Sequence, residues 1–125
     1  MQRILLLLLG GAFGTGLRYF LSLGIYSFVK APRFPYANLV VNVSGCFAIG
    51  LLAELFEARV LVSPTVRIAL LTGVLGGYTT FSSFAFETFE LLRDGEMGLA
   101  ALNLSANMLL GLAAVWAGIR LAQML

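Results

Sequence analysis

Histidine is absent from this chain of 125 residues, and cysteine occurs once. Without histidine, imidazole acid–base chemistry and transition-metal ligation are not expected. The single Cys46 supports no disulfide framework. Charge is scarce too: 11% of the residues are Asp, Glu, Lys or Arg, where a soluble domain carries about a quarter. A net charge of +2, scattered along the chain, does not suggest nucleic acid as a partner. The chain has no phosphate-binding loop signature and no nucleophile–base pair in its apolar segments, so no enzyme is expected. The apolar run after Met1-Gln2-Arg3 outlasts a leader's hydrophobic region and lacks a cleavage-like site, so it reads as a span rather than a signal peptide.

What is present is apolar surface. Hydrophobic residues make up 60% of the chain and mean hydropathy is +0.96, which points to an all-α integral membrane protein. The lipid bilayer is then its solvent, since a spanning helix needs about 20 mostly apolar residues. Four segments qualify: about 4–29, 37–56, 66–92 and 99–123, a single transmembrane domain over 1–125. Their connections carry turn and cap signals. The stretch from Lys30 to Pro35 holds two prolines and two cations, Ser63 and Pro64 suit an N-cap and first helical position, and Arg93-Asp94-Gly95-Glu96 is a turn. The layout reads as a multi-pass membrane protein.

Four spans put both termini on one side. Arg3, Arg59, Arg67 and Arg120 fall on that side, against Lys30, Arg33 and Arg93 on the other. Orientation follows Lys/Arg asymmetry, and here there is almost none. The expectation is insertion both ways round and antiparallel pairing into a dual-topology homodimer.

The third segment is the unusual one. Gly73, Gly76 and Gly77 precede Tyr78-Thr79-Thr80-Phe81-Ser82-Ser83-Phe84, and clustered glycine and threonine disfavour a helix. One reading is a break near residues 76–80, tolerable in a bilayer only under protein or water cover. Freed carbonyls there are ready ion ligands. The other reading is a glycine face that lets helices approach closely. Beyond it, Thr80, Ser83 and Glu87 share a face, and Phe81, Phe84 and Thr88 an adjacent one. Phenylalanine is core or lipid-facing by default, but its ring edge is electropositive and can meet an anion.

Polar stripes mark the other spans. Arg18 either snorkels or holds a positive charge over a wet vestibule. Asn38, Asn42 and Gly45 lie on one stripe of the second span, and Asn103, Asn107 and Gly111 on one of the fourth. An amide in hydrocarbon needs partners, either across helices or along a polar pathway.

Three motifs resemble the Fluc (CrcB) fluoride channel family: Gly10-Gly11-Ala12-x-Gly14 through Arg18-Tyr19, Asn42-x-x-Gly45-x-Phe47-x-x-Gly50, and Gly76-Gly77-x-Thr79-Thr80-Phe81-Ser82-Ser83-Phe84. The third is the specific one, and the likeness covers the whole chain. The resemblance implies a passive fluoride-selective channel that protects the cell from fluoride. It implies an antiparallel homodimer with two pores and a structural Na⁺ held by backbone carbonyls of Gly76 and Thr79. On the same grounds Asn42, Phe81 and Phe84, with Thr80 and Ser83, are pore residues. Arg18, Glu87, Asn38, Asn103 and Asn107 form the vestibule and polar track. The two asparagines of the fourth span stand where the family often has Tyr and Ser. The alternative is a small multidrug-type proton-coupled exporter, against which Arg18 stands where such a design resembles a membrane-embedded glutamate.

Overall fold

The computed structural model describes residues 1–30, 32–59 and 62–125; Ala31 of the first loop and Val60 and Leu61 of the second lie outside them. Among the described residues every element is helical. The helices are α1 (Gln2–Phe28), α2 (Tyr36–Arg59), α3 (64–78), α4 (Phe81–Arg93) and α5 (Met97–Met124). Four stretches, Gln2–Phe28, Tyr36–Glu57, Pro64–Arg93 and Met97–Met124, are long and apolar enough to cross a membrane. The protein is a multi-pass, all-helical membrane protein with its third span interrupted.

α3 changes register along its length. It opens as an α-helix at Pro64–Ile68, widens to a π-helix at Ala69–Val74, and returns to α geometry at Leu75–Tyr78. Ser63 caps its start, its hydroxyl accepting from the Val66 N–H at 3.4 Å, with Pro64 at the first position. The π segment has no counterpart in the sequence expectations. Within so uniformly apolar a run, one extra residue per turn leaves no trace in the hydrophobic period.

The glycines of α3 are packing contacts rather than the break itself. α1 runs along 64–78, and α2 along α5. A Cβ built at Gly73 would stand 2.9 Å from the Leu7 carbonyl, and one at Gly77 2.5 Å from the Gly11 carbonyl. From the other side, a Cβ at Gly10 would stand 2.6 Å from the Ala69 carbonyl. Backbones meet that closely only where side chains are missing. The α2–α5 seam uses the same device: Cβ atoms at Gly50 and Gly118 would overlap the Val115 and Phe47 carbonyls. Gly76 is different, with nothing within 4 Å of its would-be Cβ and an exposed surface.

The interruption falls on two residues. Thr79 (φ −84°, ψ 158°) and Thr80 (φ −152°, ψ 118°) are extended, and α4 starts at Phe81. Both earlier readings of the segment therefore hold, at different residues: glycines pack and threonines break. α4 ends at a turn where Gly95 takes φ +79°. α1 lies at the rim, with Gly14 its one buried residue and side chains such as Leu8 and Phe13 facing outward.

Candidate functional site

An extended pair inside an apolar span strands backbone polar groups, each costing several kcal/mol in hydrocarbon unless satisfied. The structure shows where they go. In a continuous helix the Thr80 N–H would reach Gly76; instead it donates to Asn42 Oδ1 at 3.0 Å. The Thr80 carbonyl accepts from Asn42 Nδ2 at 3.3 Å. Thr15 Oγ1 donates to the Gly77 carbonyl at 3.4 Å, and the Leu75 carbonyl takes both the Thr79 N–H and its hydroxyl. Thr80 then caps α4, its hydroxyl accepting from the Ser83 N–H at 3.2 Å. The Gly76 carbonyl loses the Thr80 N–H that a continuous helix would give it, and among the described residues no N–H donates to the Thr79 carbonyl.

A second anchor lies two residues further along α2. Ser44 Oγ sits 2.7 Å from the Val40 carbonyl and 2.7 Å from the Tyr78 hydroxyl. A serine has one proton. It is needed for the carbonyl, so Tyr78 O–H donates to Ser44. α2 thus holds the chain on both sides of the break, at Tyr78 through Ser44 and at Thr80 through Asn42.

Asn42 belongs to a longer amide chain. Its Nδ2 also donates to Asn38 Oδ1 at 2.9 Å and Asn107 Oδ1 at 3.2 Å. Two N–H protons serve three oxygens, so both are engaged. Asn38 Nδ2 donates to Glu87 Oε2 at 2.7 Å. Asn107 Nδ2 donates to the carbonyl and side-chain oxygens of Asn103, each at 3.0 Å. Asn103 Nδ2 donates to Thr88 Oγ1 at 2.9 Å, and Thr88 donates to the Phe84 carbonyl at 2.7 Å. The chain links α2, α4 and α5.

Two cavities flank the break. The first, about 350 Å³, is lined by Asn42, Gly76, Thr79, Thr80, Phe81, Phe84 and Asn107, among others. The second, about 340 Å³, is lined by Arg18, Asn38, Thr80, Ser83 and Glu87, with Thr15, Ser22 and Tyr26 of α1. Thr80 belongs to both walls. The structure thus divides the sequence candidates. Asn42, Phe81, Phe84, Gly76, Thr79 and Asn107 share one cavity; Arg18, Asn38, Ser83 and Glu87 share the other. Asn103 lines neither: it is 1% exposed and committed to Thr88. The two phenylalanines differ as well. Their ring centroids are 5.6 Å apart at 56°, yet Phe81 is 78% exposed and Phe84 6%.

Sequence reasoning picked Arg18 from α1 and passed over its neighbours. Thr15, Arg18, Ser22 and Tyr26 follow each other at three, four and four residues, a helical stripe legible in advance. Ser44 and Tyr78 carried no such mark, and Thr88 was set on one face with Phe81 and Phe84 but given no role. Arg120, counted on the side of the termini, lies over the Trp116 ring at 5.5 Å.

The sequence profile of the CrcB-like protein family, Camphor Resistance (CrcB), matches residues 5–119. The chain is similar to the fluoride-specific ion channel FluC of Solibacter usitatus, 49% identical over 98% of this chain and 99% of that one. Its likeness to the fluoride-specific ion channel FluC of Geobacter sulfurreducens is 45% over the full length of both, and to that of Geobacter metallireducens 46% over 98% of each. With its third span interrupted at Thr79-Thr80 and its whole length matched, this chain belongs to the CrcB-like family.

Proposed function

We propose that the chain forms a fluoride-selective channel that lets the anion leave the cell passively across the bacterial cytoplasmic membrane, protecting it from fluoride. The observation that carries this is the break itself: two cavities meet at Thr80, the first lined by amides, hydroxyls and phenylalanine rings with no full charge, the second by hydroxyls and an amide beside Arg18 and Glu87. Fluoride is small and strongly hydrated, so it trades water only for close donors; pore width and donor spacing set selectivity. The hydroxyls of Thr80 and Ser83 and the edges of Phe81 and Phe84 are such donors. Asn42 would give fluoride an N–H by releasing one of its three oxygens. Arg18 supplies positive charge to the vestibule and Glu87 accepts from Asn38 at its far wall.

The relatives named above are all called channels, so the proton-coupled exporter gains no support, and transport rather than catalysis is the reading.

The working unit in this proposal is an antiparallel, dual-topology homodimer. Nearly balanced Lys/Arg counts motivate it, and the open face at Gly76 offers a place for the second copy. The donor set there fits a sodium ion: the Thr79 carbonyl and the Gly76 carbonyl, which the break deprives of the Thr80 N–H, are hard oxygen ligands. A cation bound by them would tie two such breaks together. Asn103, buried against Thr88, contributes to the polar track by ordering Asn107. Fluoride release from proteoliposomes, read by an ion-selective electrode, tests the function. Reporter fusions at the C-terminus test the topology, and a single dominant orientation would remove the antiparallel pair.

A further inference from the structure

A third cavity, about 220 Å³, opens beyond the vestibule. Its wall includes Pro32, Arg33 and Pro35 of the first loop and Glu90 and Asp94 near the end of α4. Two residues line both this outer space and the vestibule: Tyr26 of α1 and Glu87 of α4. The vestibule in turn shares Thr80 with the cavity of the phenylalanines. The three spaces are therefore neighbours within one chain, and Tyr26 and Glu87 are the residues that border both of the outer two.

We propose that Tyr26 is the neck residue of the permeation path, the side chain that an anion must pass between the loop-side mouth and the Arg18 vestibule. This rests on the channel reading above. The chemistry of the position agrees with it. The mouth is lined by Glu90, paired with Arg93 at 3.2 Å, by Asp94 and by Arg33, and Glu87 borders it beside Tyr26, so an anion arriving there meets carboxylates as well as cations. A neutral O–H is a donor that tolerates such neighbours, as a cation fixed in ion pairs would not. The hydroxyl of Tyr26 would hand fluoride from water to the stripe of Ser22, Arg18 and Thr15 that continues along the same face of α1. Tyr26 is a permeation residue by position, and no part of the packed α1–α3 seam depends on it, since that seam lies at Gly10, Gly11 and Gly14.

The test is a cysteine placed at the neck. In a Cys46→Ser background, Tyr26→Cys and the outward-facing control Leu8→Cys are labelled in detergent with an anionic thiosulfonate reagent. Mass spectrometry verifies complete labelling, and fluoride efflux is compared with unlabelled protein after reconstitution. A label at Tyr26→Cys is expected to lower efflux about tenfold or more, while a label at Leu8→Cys leaves it within about twofold. Tyr26→Phe, which keeps the ring, is expected to lower efflux by about threefold without changing the melting temperature. Full labelling at position 26 with undiminished efflux overturns the neck and leaves the channel intact. Absence of fluoride efflux from the unsubstituted protein overturns the channel reading, and the neck with it.

Discussion

Asn42 bonds both backbone groups of Thr80, taking its N–H at Oδ1 (3.0 Å) and giving an N–H to its carbonyl (3.3 Å). One side-chain amide does for the broken helix what a neighbouring peptide does in a whole one. The same amide lies in the wall of the phenylalanine cavity, so fold and path depend on one residue.

Asn42→Asp separates the two duties. It keeps an oxygen for the Thr80 N–H and removes the donors to Asn38, Asn107 and the Thr80 carbonyl. Fluoride efflux is expected to fall about tenfold or more while the protein still purifies folded. Asn42→Leu also strands the Thr80 N–H, so it is expected to lose folded protein too, measured by monodispersity on size exclusion.

Phe81 and Phe84 should respond differently to substitution because one is exposed and the other buried. Phe81→Ile is expected to leave the melting temperature near that of the parent and to cut fluoride efflux strongly. Phe84→Ala removes a core ring, for a loss of about 3–5 kcal/mol of stability. Equal melting temperatures for the two variants would contradict the placement of the rings.

The Ser44–Tyr78 bond is a pairwise contact that a double-mutant cycle can isolate. Tyr78→Phe and Ser44→Ala are each expected to cost about 1 kcal/mol, and the double substitution no more than either alone. Chemical denaturation in mild detergent gives the numbers. Additive effects would show that the two hydroxyls do not meet.

Adjacent glycines give a test of assembly. A methyl at Gly77 meets the Gly11 carbonyl at 2.5 Å, so Gly77→Ala is expected to damage the monomer fold. Gly76 has open space around it, so Gly76→Leu is expected to leave the fold intact and shift dimer to monomer. Light scattering of the purified variants reads this. A Gly76→Leu protein that remains fully dimeric would place the interface elsewhere.

How much of this was legible beforehand follows from how each feature is encoded. Spans such as Met97–Met124 are written in bulk hydropathy, which survives any packing detail. The break was visible as a crowd of Gly and Thr, but composition could not divide the labour between Gly73 and Gly77, which pack on α1, and Thr79 and Thr80, which leave the helix. That division depends on which face of α3 meets α1. Arg18 announced itself by its charge, and the weaker polarity of Thr15, Ser22 and Tyr26 on the same stripe did not. Pairings such as Tyr78 with Ser44 and Asn103 with Thr88 join residues 34 and 15 apart in the chain, and only the folded arrangement brings them together.

The most direct test of the whole account is anion release from liposomes containing the purified protein alone. With fluoride inside and a potassium ionophore to balance charge, the account predicts rapid fluoride release at an electrode, and retention of chloride under the same conditions. Fluoride release no faster than from protein-free liposomes, or chloride released as readily as fluoride, would contradict it.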